Sequence, residues 1–565
     1  MSYGTYDAFA SLAYLAERKG ASLSLPSSQW KRRLQSTALH RPLDRTQVLG
    51  KPGGESGHTG CVNALSWALD GEVLLSGGDD TTVRLWRMDV SNEDGDCSNS
   101  WASTTVINTG HRGNIFNAQM LPGSSRIVTV ARDKQVRISD VGDLRRAGDF
   151  GLEMQYTTSQ ANVRVLRCHD RAVKRITTEH SPDLFLTVSE DGTVRQHDLR
   201  VPHDCRTQNC PAPLVQLDHP LSTLALSPLT PYQFVVAGES QYGYLFDRRH
   251  TGRRIMAEWG VPLESDSVTT CVRRLGRAAK GSGETRGYEH VTGARMASNN
   301  GHEVLLSYSS DAVYLYSTLD SPRDPSPPSS PAVIPPNTKS SKSPETDSTS
   351  SAMSSSAFRR AILDQVDAMM EEDIEEFMTG PADLADDDMS DGQHGDSSGD
   401  ESNEEGDNDT EDMDEYEPFS TIPVILPQRQ FKGHCNVETV KDVNVLGPSD
   451  EFVVSGSDDG NWFIWDKKTG KLHDILEGDG HVVNVIEGHP YLPLVAVSGI
   501  DTTVKLFGPK EGPRKFSRMA DATSVIARNT EVSSQRIDLA SLATYARIAR
   551  LMSSANPDEQ PCTTQ

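Results

Sequence analysis

No stretch of about 18 consecutive apolar residues occurs in the chain, so no membrane-spanning helix is expected. Apolar residues are sparse throughout: they make up 36% of the 565 residues, and aromatics only 6%. That is little for a wholly globular chain, and part of it is expected to be disordered. Residues 1–20 carry acids and lack a basic start ahead of an apolar run, so they do not read as a secretory signal. The eight cysteines, at 61, 97, 168, 205, 210, 271, 435 and 562, show no regular spacing. They fit reduced thiols of cytosol or nucleus better than a disulfide framework. The closest group is His203, Cys205 and Cys210. A zinc site needs four ligands, and no second pair lies nearby in the sequence, so neither a metal nor a cofactor is expected. A GxxxxGK phosphate loop, HExxH and CxxC are missing, and the one GxSxG match, GDSSG at 395–399, falls in an acidic, polar stretch rather than after an apolar strand, so no nucleophile elbow is expected, which argues against an enzyme.

Basic charge is also scarce. The net charge is −25, but residues 321–420 hold 27 Asp and Glu against 5 Lys and Arg, a net of −22. The remainder is therefore −25 − (−22) = −3, with no basic footprint for direct nucleic-acid binding. Residues 321–420 begin rich in Pro and Ser (SPRDPSPPSSPAVIPP) and end acidic, a disordered composition. Four of the serines, Ser321, Ser326, Ser330 and Ser343, precede proline and suit proline-directed phosphorylation. Within the stretch, Phe358, Ile362, Val366, Met369 and Phe377 are spaced as on an amphipathic helix, which could dock on a folded surface or stay transient.

What the chain does have is an internal repeat. An Asp and a residue six positions on recur as Asp80–Trp86 (DTTVRLW), Asp133–Ser139 (DKQVRIS), Asp191–His197 (DGTVRQH), Asp459–Trp465 (DGNWFIW) and Asp501–Phe507 (DTTVKLF). His58, His111 and His169 each stand 22 residues ahead of their Asp, His434 stands 25 ahead and His481 stands 20 ahead. Between each His and Asp lie two apolar runs, such as CVNALSW and EVLLSGG, which read as half-buried strands with tight turns. Residues 214–247 and 268–316 are weaker copies, with Ser240 and Ser310 in place of the turn Asp. That makes seven units.

These units, with Gly57-His58, Gly110-His111, Gly433-His434 and Trp465-Asp466, resemble the WD-repeat family over roughly 50–320 and 428–507. The resemblance implies an all-β, seven-bladed WD-repeat β-propeller, in which each blade buries its faces against its neighbours. It also implies that His58, Asp80, Trp86, His111, Asp133, His169, Asp191, His434, Asp459, Trp465 and Asp501 are structural, with each His paired to its Asp. Arg45–Gly50 is the natural donor of a strand closing the ring onto the last sheet. The expected organisation is an N-terminal helix–loop–helix extension (1–44), blades one to five with the closing strand (45–320), and a disordered insertion (321–427). Blades six and seven (428–508) and a C-terminal tail with one helix (509–565) complete it. The extension consists of residues 7–20 and 27–41, the second with Trp30, Leu34 and Ala38 at four-residue spacing. Residues 1–50 carry seven Arg and Lys against three acids. The extension could cap the propeller or enter a partner's groove. The tail helix is expected within RIDLASLATYARIARLMSS (536–554).

Two adjacent repeats end in Asp, any residue, Arg: Asp198-Leu199-Arg200 and Asp247-Arg248-Arg249. The corresponding positions elsewhere read Trp86-Arg87-Met88, Asp140-Val141-Gly142 and Asp466-Lys467-Lys468. An arginine at such an edge can make planar, bidentate bonds that lysine cannot. The pair resembles the box shared by substrate receptors of cullin-4 ubiquitin ligases. It departs from that box at His197, where the family has Trp. The resemblance extends to SGSDDGNWFIWDKKTGKL and EVLLSYSSDAVYLY, which look like the subgroup of the nuclear receptor interaction protein and the WD and tetratricopeptide repeats protein. That subgroup has a long acidic insertion before its last two blades, but this chain has no tetratricopeptide segment. The resemblance implies contact with the adaptor, damaged-DNA-binding protein 1, and through it the cullin-4 ligase. That contact would fall on Asp198, Arg200, Asp247, Arg249 and the segment Trp30, Arg32, Arg33 and Leu34. A protein substrate of unknown identity and a place in nucleus and cytoplasm go with it. The other reading is a nuclear scaffold that holds histones or other basic proteins through the acidic residues 383–417.

Overall fold

The computed structural model describes residues 27–51, 56–88, 100–142, 153–203, 205, 210–250, 271–277, 289–322 and 419–534. They form seven antiparallel sheets arranged as the blades of a propeller. The first three strands of the blades are, in turn, Val62–Ala68, Val73–Gly78 and Thr82–Met88; Ile115–Met120, Arg126–Ala131 and Val136–Asp140; Val173–Thr178, Leu184–Ser189 and Thr193–Asp198; Leu221–Leu226, Gln233–Gly238 and Gly243–Asp247; Val291–Met296, Glu303–Tyr308 and Val313–Ser317; Val443–Leu446, Phe452–Gly456 and Asn461–Asp466; Val483–Gly488, Val495–Gly499 and Val504–Pro509. Each sheet has an outer fourth strand, and blades one and four carry a fifth, paired in parallel (Met154–Tyr156 and Val424–Ile425).

The ring closes as its sequence suggests. Leu43–Leu49 pairs antiparallel with Val504–Pro509, from Leu43 opposite Pro509 to Leu49 opposite Val504. The last blade thereby gains an outer strand from the opposite end of the chain, and its edge is covered.

The second strands differ from the half-buried reading. Val73–Gly78 and Phe452–Gly456 are buried at every residue. Each sheet lies between two others, so both of its faces are covered and the apolar run is continuous rather than alternating. The core is correspondingly a series of clusters between blades. One, for example, joins Val128, Ile138 and Leu166 of blade two to Val173 and Phe185 of blade three.

The insertion ends earlier in the sequence than expected. It interrupts blade five rather than the junction of blades five and six. The outer strand of blade five is Arg429–Phe431, which follows the insertion and pairs with Val313–Ser317. Val424–Ile425, assigned to the insertion from sequence, instead adds to blade four. Residues 323–418 lie outside the described set, and with them the helix expected at 359–377 and the acidic tract at 383–417. Residues 7–20 and 536–554 lie outside it as well.

Two helices flank the ring. Helix α1 is Ser27–Leu39. Helix α2, residues 522–534, precedes the segment in which a tail helix was expected. It packs Val525 and Ile526 against blades five and six.

Candidate adaptor-docking face

Within a blade the first and third strands run one way and the second and outer strands the other. The ends of all first and third strands therefore share one face of the propeller. Asp198 and Asp247 are the last residues of third strands in adjacent blades. The two loops that follow have the same geometry. The Arg200 backbone N–H donates to Asp198 Oδ1 at 3.0 Å, its Nε to the same oxygen at 2.9 Å, and its Nη2 to Oδ2 at 2.7 Å. The corresponding bonds from Arg249 to Asp247 are 2.9, 3.0 and 2.6 Å. Each carboxylate thus orients its guanidinium through two N–H donors and leaves Nη1 outside these bonds. Arg249 also lies over the Tyr232 ring at 3.7 Å. The arginine side chains remain 63% and 59% exposed. Hydrogen bonds from Arg200 hold the Asp198 carboxyl at about 2, below its ordinary range. Asp140 and Asp466 end third strands in the same way but cap Gly142 and Thr469 instead.

Helix α1 lies on this face. Gln35 Nε2 donates to the carbonyls of His489 at 2.9 Å and Leu492 at 3.1 Å, just past the first strand of blade seven. Arg32 Nη2 donates to Pro448 O at 2.6 Å, just past the first strand of blade six. Ala38 and Leu39 are buried. The helix therefore caps the propeller beneath blades six and seven. Arg33 is exposed and Leu34 half-buried; Trp30 lies within α1, in the stretch whose side chains are not among those described.

The repeated His and Asp residues serve the blades. His58 Nδ1 pairs with Asp80 at 3.0 Å and its Nε2 with Ser76 Oγ at 2.7 Å, while Trp86 Nε1 donates to the same Ser76 at 2.8 Å. His111 joins Asp133 to Thr129, with Ser139 at the Trp position, and His169 joins Asp191 to Thr187. His197 takes the place of Trp: its Nε2 meets Thr187 Oγ1 at 2.8 Å. Burial would push Asp80 up, but bonds from His58, Thr82 and Thr59 outweigh it and hold the group at about 2.

Blade six departs from the expected pairing of His434 with Asp459. Asp459 Oδ2 accepts from Asn529 Nδ2 of α2 at 2.9 Å, and neither ring nitrogen of the buried His434 has a partner. In its place Lys441, fully buried, pairs with Asp458. Trp465 Nε1 donates to Lys432 O at 3.1 Å. In blade seven His481 is exposed, and Asp501 pairs with Lys505.

The central cavity, about 300 Å³, is lined by Arg175, Arg295, Asp442 and Glu487. Its charges meet across it: Arg175 with Asp442, and Arg295 with Glu487 at 3.5 Å. The doubled aspartates of the turns are also engaged, Asp79 accepting from Asn63 and Asp458 from Lys441. None is poised as an acid–base pair. The three-residue group His203, Cys205 and Cys210, short of a ligand in the sequence, gains Cys168 in the fold.

Sequence comparison bears on this arrangement. The model of the WD domain, G-beta repeat, matches residues 50–87, 160–198 and 426–466. Together with the seven blades, this defines the chain as a WD-repeat β-propeller, a class that typically serves as a non-catalytic scaffold. Its homologues include WD repeat protein iqw1 of Schizosaccharomyces pombe, 35% identical over 270 residues, which cover 46% of this chain and 31% of that one. Protein ALTERED SEED GERMINATION 2 of Arabidopsis thaliana is 26% identical over 704 aligned residues, 86% of this chain and 89% of that one. DDB1- and CUL4-associated factor 6 of Homo sapiens is 29% identical over 269 residues, 46% of this chain and 27% of that one. The match thus spans less than a third of the fission-yeast and human proteins.

Proposed function

We propose that this protein is a non-catalytic substrate receptor of a cullin-4 RING ubiquitin ligase. Its adaptor-docking surface is the face that carries Arg200, Arg249 and α1. The observation that carries the reading is the matched pair of Asp-x-Arg loops in adjacent blades, each arginine pre-oriented by its own carboxylate and more than half exposed. A guanidinium fixed in this way loses little conformational freedom when a partner's carbonyl or carboxylate binds it. The name of the human relative, a DDB1- and CUL4-associated factor, points to the same adaptor and cullin. The receptor would hold its protein substrate on other surfaces, leaving ubiquitin transfer to other subunits. It would act in nucleus and cytoplasm, where its cysteines stay reduced. No enzymatic activity is expected of the isolated chain.

The test is affinity purification of the wild type beside Arg200→Ala/Arg249→Ala, with quantitative mass spectrometry. Interface arginines that act as anchors are each worth about 1–2 kcal/mol, so adaptor and cullin should fall about tenfold or more in the double variant. The thermal midpoint should stay close to wild type, since exposed ion pairs contribute little to folding. Recovery of histones or other basic proteins without the adaptor would favour the scaffold reading, which rests on the charge of residues 383–417.

A further inference from the structure

The fold brings together four groups that the sequence keeps apart. Cys168 follows the outer strand of blade two (Arg164–Leu166) and directly precedes His169 of blade three. His203, Cys205 and Cys210 lie in the loop that joins the third strand of blade three to its outer strand, Val215–Gln216. The ligand atoms of all four residues lie within 4.8 Å of one another. Cys168 Sγ is 3.6 Å from Cys205 Sγ and 3.1 Å from His203 Nε2. Two thiolates bound at about 2.3 Å on a tetrahedron sit about 3.8 Å apart, so the observed sulfur separation matches a shared ion and not a sulfur–sulfur bond.

We propose that Cys168, His203, Cys205 and Cys210 bind one zinc ion, forming a structural site that staples the loop after Arg200 to the chain entering blade three. Three sulfurs and one imidazole are a soft donor set in tetrahedral number, which selects zinc over magnesium or calcium. All four positions are filled by protein, so the site has no open coordination place and is structural rather than catalytic. The second shell fits: the Arg167 backbone N–H donates to Cys205 Sγ at 3.3 Å, a bond that stabilises a thiolate ligand. Cys168 is buried and the other three ligands are half-buried, which gives the ion a route from solvent. On binding, the three thiols release three protons to solvent and the imidazole binds as the neutral ring. The ion would fix the loop on which Leu199, Cys205 and Cys210 pack against the core between blades two and three.

The experiment is metal analysis of the full chain, purified under reducing conditions and passed over a chelating resin. About one zinc per chain is expected in the wild type, with loss of most of it in Cys168→Ser and Cys205→Ser. His203→Cys, which keeps four zinc-binding groups, should retain the ion, as should Cys271→Ser, whose thiol lies in blade four. A chelator strong enough to strip the ion should lower the thermal midpoint of the wild type but not of Cys205→Ser. Should Cys168→Ser fail to fold, Co²⁺ substitution of the wild type decides the matter through the intense visible absorption of a tetrahedral cobalt–thiolate centre. Wild type that holds less than a tenth of an equivalent of zinc and shows no cobalt–thiolate band overturns the proposal. So does a Cys168–Cys205 disulfide in the protein as purified, or zinc retained equally by both serine variants.

Discussion

At the scale of single residues, the same two types play opposite parts in different blades. Asp80 holds His58 and accepts from the Thr59 and Thr82 backbone N–H groups. Asp80→Ala would strand these donors in a nearly closed site, and a loss of about 2–3 kcal/mol is expected, read from thermal or denaturant midpoints. His434 is buried among Phe463 and Trp465 with no bond to release, so His434→Leu should change stability by less than about 1 kcal/mol at neutral pH. The two should part company as the pH falls. Burial pushes His434 and His489 down to about 4, below the usual value near 6.5. Above pH 6.5 both folded and unfolded chains hold these rings neutral. Between pH 6.5 and 4 the unfolded chain takes up protons that the folded one refuses, so stability falls as pH falls through that window. At 1.36 kcal/mol per pH unit the ceiling is about 3 kcal/mol for each ring. The loss should be smaller in His434→Leu than in wild type; parallel curves of midpoint against pH would show that the ring does not titrate in this way.

At the scale of elements, α1 and the closing strand are consecutive in the chain but do different jobs. Leu43–Leu49 covers the last edge of the ring, whereas α1 covers its face beneath blades six and seven. Deletion of residues 1–39 should therefore leave a closed, monomeric propeller with a lower thermal midpoint. Deletion of 1–49 should expose the Val504–Pro509 edge and produce aggregates on size-exclusion chromatography. If the two truncations behave alike, the strand is not what closes the ring. The helix was legible in the sequence from Trp30, Leu34 and Ala38, but its seat was not. Its partners Pro448, His489 and Leu492 are more than 400 residues away, and they offer backbone carbonyls, which leave no side-chain signature. The same holds for α2, where Asn529 reaches a carbonyl and the Asp that would otherwise pair with His434. The fourth ligand of the cysteine cluster was missed for a related reason: Cys168 lies 35 residues from His203 and meets it only because consecutive blades pack side by side.

At the scale of the whole molecule, the propeller was legible because five of the seven blades repeat the same turn and strand chemistry. The two blades without the Asp turn show how little of that chemistry a blade requires. In blade five a buried Arg277 joins Glu289 at 2.6 Å and Asp311 at 2.5 Å, an ion cluster in place of the His–Asp pair. The boundary of the insertion was not legible, because Val424–Ile425 and Arg429–Phe431 are too short to carry a period. Their positions nevertheless define what can be removed. Arg274 donates to Ile422 O at 3.0 Å and Ser420 O at 2.8 Å, and Phe419 packs edge-on to Tyr244 and Phe246. Residues 419–425 thus belong to the propeller. Among the described residues the third strand of blade five ends at Ser317 and the next strand begins at Val424. Replacing 327–415 with a Gly/Ser linker of about 20 residues should leave the thermal midpoint of the propeller almost unchanged, because shortening a tether alters its closure free energy by less than about 2 kcal/mol. The docking face, with Arg200, Arg249 and α1, is untouched by the excision. If the proposed receptor reading holds, adaptor and cullin should co-purify with the excised protein to the same extent as with the wild type, while any basic proteins bound through the acidic charge should be lost. Loss of the adaptor on excision, with the midpoint unchanged, would move the docking site from the propeller to the insertion.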